Sequence, residues 1–88
     1  MSEHAGAQVL GRYVVADPAI HHGQLTFRGT RVMVGDVLEQ VARGLAWETI
    51  VEQWGGTVSN QAIAEAVRLA REALLTYHKQ MDPTPTGG

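Results

Sequence analysis

Chemistry in this chain is concentrated in two short stretches. Arg28-Gly29-Thr30-Arg31 places two guanidinium groups around a glycine and a hydroxyl, and Ser59-Asn60-Gln61 opens a helical stretch that carries Arg68. A guanidinium fork binds a phosphate or a carboxylate through paired hydrogen bonds. Arg28, Thr30 and Arg31 therefore suit a clamp on nucleic-acid phosphate or on an acidic partner. The competing reading is structural: one arginine, Arg31 above all, holds its turn to the following helix through Asp36 or Glu39. Asn60 and Gln61 can each read adenine with two hydrogen bonds. Equally, Ser59 is a good helix cap, and the two amides are then ordinary solvated first-turn residues. Glu65, Arg68, Arg71 and Glu72 continue the same helix. Glu65 to Arg68 and Arg68 to Glu72 are pairing distances along a helix. That mixture of signs argues against strong DNA binding through this helix alone.

Other chemistries find no support. Serine occurs only at Ser2 and Ser59, neither in a nucleophile motif. Of the histidines His4, His21, His22 and His78, the adjacent pair would point apart if extended. No metal-ligand spacing and no phosphate-binding glycine loop is present. We expect no catalytic residues, no metal and no cofactor.

Composition narrows the partners. Lys plus Arg number 7 and Asp plus Glu 9, a formal net charge of -2 over 88 residues. A global electrostatic grip on nucleic acid is excluded, so any anion binding must be local. Cysteine is absent, which suits a reducing compartment. Met1 to Gln8 lacks an apolar signal core, and no apolar run approaches the roughly 20 residues that span a bilayer. The expectation is a soluble cytoplasmic protein without membrane contact.

The elements that must position these residues follow from the pattern. Residues 1–12 are expected to be a flexible N-terminus, 13–78 a single domain, and 79–88, with Pro83, Pro85, Gly87 and Gly88, a disordered tail. Tyr13-Val14-Val15 is β-prone and ends at the Asp17-Pro18 turn. Leu25-Thr26-Phe27 and Val32-Met33-Val34 flank Arg28-Gly29 and predict a hairpin. From Asp36 the period becomes helical, with Val37, Leu38, Val41 and Ala42 on one stripe and Gly44 as the stop. A second helix covers Trp47 to Trp54, with Ile50, Val51 and Trp54 inward, and breaks at Gly55-Gly56. The third begins after Ser59, with the stripe Ile63, Ala66, Val67, Ala70, Leu74 and Tyr77 and a second apolar set, Ala62, Leu69 and Ala73. Two faces imply a core and a further contact, unless the alanines serve only as helix formers. A chain this small has a thin core, for which self-association is a common remedy. Leu25, Phe27, Trp47 and Leu69 are the candidate interface of a homodimer. The fold class expected is mainly α: an N-terminal β-hairpin followed by a three-helix helix-turn-helix bundle.

A family resemblance sharpens this. Asp17-Pro18, Gly23, Phe27-Arg28-Gly29-Thr30-Arg31-Val32-x-Val34, Val37-Leu38, Ala42-x-Gly44 and Ile50 resemble family 433 of the domains of unknown function, over about Tyr13 to Ala73. Gly-Thr-Arg-Val with the following Leu-x-x-x-Ala-x-Gly is the most specific part. The resemblance implies a hairpin before a homeodomain-like helical trio, and an antitoxin-like role beside a PIN-like ribonuclease toxin. Leu25 stands where the family usually has proline, Ala46 where it has a serine or threonine cap, and Gly55 near a usual proline. The missing cap should cost the second helix about 1 kcal/mol. The expected function is that of an antitoxin-like regulator of a prokaryotic toxin–antitoxin pair, binding a PIN-like toxin protein, with operator DNA as a further partner. The alternatives are a stand-alone helix-turn-helix DNA-binding protein and a protein-only adaptor.

Overall fold

The computed structural model describes residues 8–81; the expectations for the first seven residues and for 82–88 lie outside them. Three short strands come first: β1 (Gln8–Val9), β2 (Val14–Ala16) and β3 (Leu25–Phe27). They form one antiparallel sheet in the order β1-β2-β3. Val9 faces Val15 across the first pair, and Val14 faces Phe27 across the second. The β1–β2 turn is closed by Val14 O, which accepts from Leu10 N at 2.9 Å and from Gly11 N at 3.2 Å. The β2–β3 connection starts with an Asx turn, Ala19 N donating to Asp17 Oδ1 at 2.9 Å. It then makes a 3-10 turn at His21–Gly23. His21 and His22 both have positive φ, 50° and 57°, so they do not have the extended geometry assumed from the sequence.

Helices follow: α1 (Val34–Ala42), α2 (Trp47–Gln53) and α3 (Asn60–Met81). Leu45 N donates to Gln40 O at 3.2 Å beyond Gly44, the hydrogen bond with which a glycine-stopped helix satisfies its last carbonyls. Ala46 supplies no side-chain cap to α2, as its methyl group dictates. Ser59 does cap α3, its Oγ accepting from Ala62 N at 3.1 Å. A side-chain relay fastens α1 to α2: Trp54 Nε1 donates to Gln40 Oε1 at 2.8 Å, and Gln40 Nε2 donates to Gln53 Oε1 at 2.5 Å.

The fold is thus a three-stranded antiparallel sheet packed with three helices. This corrects the expectation of a mainly α chain in which one N-terminal hairpin precedes a homeodomain-like helix-turn-helix bundle. Two findings overturn it. Gln8–Val9, ahead of the expected domain start at Tyr13, adds an edge strand to β2. Val32-Met33-Val34 is not the second arm of a hairpin: it contributes one bridge, Thr26 to Met33, and one further bond, Phe27 N to Val32 O at 3.1 Å. The chain turns helical at Val34 because Val34 and Val37, three apart on one helix face, are both buried. The sheet also lies against α3, with β2 touching that helix. Part of α3 is therefore covered by the chain's own turn and is not a free recognition helix.

The core consists of Val14, Phe27, Val34, Val37, Ile50, Val58, Ala62, Ile63 and Ala66. Phe27, only 2% exposed, belongs to it, which corrects its assignment to a dimer interface. β3 alternation places Thr26 on the other sheet face, also fully buried, and its Oγ1 has no hydrogen-bond partner among the described residues. A buried hydroxyl without a partner keeps its desolvation cost and gains nothing. Thr26→Val, which keeps the shape and removes the hydroxyl, is expected to raise the unfolding free energy by about 1 kcal/mol. Chemical denaturation of both forms reads this directly.

Candidate functional site

Two surfaces flank α3. The first is a polar cleft of about 270 Å³ formed by Arg12, Tyr13, Gln61, Ala64, Glu65 and Arg68. Residues 61, 64, 65 and 68 recur at helical spacing and share one face of α3. The β1–β2 turn supplies the other wall. Glu65, 9% exposed, locks that turn onto the helix. Its Oε2 accepts from Arg12 N at 2.5 Å and its Oε1 from Tyr13 N at 2.6 Å. A Cβ at Gly11 would overlap the same carboxylate, so the turn needs glycine for this close approach.

Arg28 reaches the same turn from β3. Its Nε donates to Arg12 O at 2.9 Å and its guanidinium reaches Gly11 O at 3.4 Å. Arg28 N donates to Tyr13 O at 2.6 Å. Arg28 is thus the structural arginine of the pair at the tip. Arg31, for which a structural role was the competing reading, is exposed and has no carboxylate partner among the described residues; its own carbonyl accepts from His21 Nε2 at 3.2 Å. Glu39 pairs with Arg43 instead, at 3.1 Å, since four residues apart on α1 they are nearer neighbours. Thr30 serves its turn: Oγ1 donates to Phe27 O at 2.8 Å and accepts from Val32 N at 3.0 Å. Gly29 carries φ of 77° there, as the sequence implied.

The pairs expected along the third helix, Glu65 to Arg68 and Arg68 to Glu72, do not form. Glu65 is taken by two backbone N–H groups of the turn, and Arg68 is left exposed with no carboxylate partner among the described residues. The Arg12 guanidinium has none either; it sits 6.0 Å from the centre of the Tyr13 ring. Three of the seven basic residues, Arg12, Arg28 and Arg68, therefore gather round one turn, with a single carboxylate among them whose oxygens are both engaged. The structure brings together Arg28, Gln61 and Arg68 of the residues picked from sequence. Ser59 is a cap, Asn60 is exposed outside the cleft lining, and Arg31 lies apart. Arg12, Tyr13 and Glu65 were not picked as site residues. A glycine-arginine turn before a β-prone run was a weak signal for the first two. Nothing local marks a contact between residues 53 apart.

The second surface is an apolar groove of about 130 Å³, lined by Leu10, Val14, Leu25, Val34, Leu38, Ala66, Leu69, Ala70 and Ala73. Leu25 and Leu69 of the expected dimer interface meet here, whereas Trp47, 38% exposed, opens α2 outside the lining. The groove runs out along α3. This helix of 22 residues is about 33 Å long at 1.5 Å per residue, and from Ala70 to Gln80 every residue is exposed. The stripe that is buried at Ala62, Ile63 and Ala66 continues as Ala70, Ala73, Leu74 and Tyr77 beyond the end of the chain's own core. Leu74 is 65% exposed and Tyr77 58%.

Among the described residues no group of three or more His, Asp or Glu is placed to hold a metal ion, and no helix is long and apolar enough to cross a membrane. Comparison with curated proteins and with solved structures finds no match. The family model described as protein of unknown function (DUF433) matches residues 14–70, which span β2, β3, α1, α2 and the first half of α3, and the chain belongs to that family.

Proposed function

We propose that this protein is an antitoxin-like regulator of a prokaryotic toxin–antitoxin pair, acting in the cytoplasm as a homodimer that docks a ribonuclease-type toxin. The observation that carries the reading is the core stripe of α3 running on, uncovered, through Ala70, Ala73, Leu74 and Tyr77 next to an apolar groove. Solvent-facing leucine and tyrosine at helical spacing beside a groove have the form of a helix-in-groove contact. A single short domain with a thin core gains stability from such a contact. The family resemblance supplies the antitoxin role.

Light scattering on the eluting protein measures the mass, and co-expression with the product of the adjacent gene measures toxin capture. The expected result is twice the chain mass at tens of micromolar and co-elution with the neighbour. Ala70→Asp with Leu74→Asp places two charges on the exposed stripe. It is expected to abolish both without changing the helical circular dichroism. A strict monomer that also ignores its neighbour would end the proposal.

A further inference from the structure

We propose that the cleft between the β1–β2 turn and α3 is a phosphate-backbone site for nucleic acid, with Arg12 and Arg68 as its contacts, Gln61 as a neutral donor beside them and Arg28 positioning the turn. It stands apart from the protein-docking reading and uses a different face of α3. Nor does it lay α3 in a groove of the duplex as a recognition helix: the contacts would come from the mouth of the cleft.

The argument rests on charge and on which groups are free. A guanidinium matches a phosphate in geometry as well as charge. Arg12 and Arg68 line one cleft and are exposed, and their guanidinium groups have no hydrogen-bond or carboxylate partner among the described residues. Glu65 is the acid in the cleft lining. It keeps its charge but makes no ion pair with Arg68 one helical turn away, because both of its oxygens accept backbone N–H groups. Arg28 is spent on the carbonyls of Gly11 and Arg12 and fixes the segment that carries Arg12. The turn is thus held from two sides, by a carboxylate on its N–H groups and a guanidinium on its carbonyls. A site held in that way loses less conformational freedom when it binds. A free phosphate would face two exposed cations in an open cleft, a weak arrangement. A polymer of phosphates offers the same two cations a neighbouring charge for each, and releases condensed counterions on contact. The chain's net charge of -2 makes a diffuse grip impossible and leaves this local cluster as the place for one.

The test is fluorescence anisotropy with a labelled duplex of about 20 base pairs, titrated between about 20 and 200 mM salt. Two phosphate contacts predict a slope of log affinity against log salt of about -1.8. Arg12→Ala or Arg68→Ala is expected to weaken binding roughly tenfold at low salt and to reduce the slope by about one. Arg43→Gln removes the same charge from the end of α1, where Arg43 pairs with Glu39, and is expected to leave both values unchanged. Poly-glutamate competes poorly if the site selects phosphodiester. No binding at low salt would overturn the proposal. So would equal losses in the Arg43 variant, or displacement of the duplex by poly-glutamate at matched charge. None of these substitutions touches the apolar groove. The dimer mass and toxin capture should survive them, so failure here is separable from failure of the docking reading.

Discussion

Replacing Glu65 by alanine is expected to lower the unfolding free energy by about 3 kcal/mol, a large loss for a surface-adjacent residue. The carboxylate makes two charge-assisted bonds, to Arg12 N and Tyr13 N, and both are partly buried. Bonds of this kind are worth about 1.5–3 kcal/mol each, and the unpaired N–H groups left behind add their own desolvation cost. Water entering the vacated space offsets some of that. Glu65→Gln separates charge from shape. The amide keeps one acceptor oxygen, but its NH2 group would face a backbone N–H donor, so glutamine should recover less than half of the loss. Urea denaturation measures the free energies, and hydrogen exchange at the amides of residues 12 and 13 locates them. Loss of protection at those two amides, ahead of the rest of the sheet, is the expected signature. A Glu65→Ala protein within about 0.5 kcal/mol of the parent would mean that the turn stands without its carboxylate.

The same residue marks what could be read from the sequence and what could not. Helical positions follow a period of 3.6 over many residues, so the stripes through Val37 and Ile63, the stop at Gly44 and the cap at Ser59 were all legible. Strands of two and three residues carry too few positions for alternation to declare itself. Gln8–Val9 was therefore invisible as a strand, and Val32-Met33-Val34, β-rich by composition, was misread as one. Charges on a helix surface suggested local pairs. Glu65 instead satisfies donors 52 and 53 residues away, because a backbone N–H turned toward a helix needs a partner more than a solvated arginine does. Of the cleft, the sequence showed the helix half, Gln61 and Arg68, and hid the turn that completes it. The pattern placed Leu74 and Tyr77 on the core stripe of the third helix and Ala62 on a spare face, whereas the packing buries Ala62 and leaves Leu74 and Tyr77 uncovered. The cause was not legible: the helix outruns its own core, and only the packing shows where that core ends.

That overrun sets up a contrast between two residues of one helix. Ile63→Ala is expected to cost about 4 kcal/mol. Ile63 is fully buried at the centre of the core, and deleting its methyl and methylene groups removes their transfer energy and leaves a cavity. A domain of this size holds roughly 4–11 kcal/mol in all, so the variant should lose between about a third and all of its stability, while the milder Ile63→Val, at about 1 kcal/mol, should remain folded. Leu74→Ala removes a similar side chain from the same stripe, but from a position 65% exposed. Within one chain it should shift stability by no more than about 0.5 kcal/mol. If the uncovered stripe is where a second copy seats, stability becomes linked to protein concentration. The parent's midpoint temperature should then rise with each tenfold increase in concentration, and Leu74→Ala should flatten that rise while leaving the dilute limit unchanged. Ile63→Val should do the reverse, lowering the midpoint equally at every concentration. Thermal denaturation of the three proteins across two decades of concentration distinguishes a residue that holds the chain together from one that holds two chains to each other. A parent midpoint independent of concentration would leave α3 with an exposed apolar end that no second copy covers.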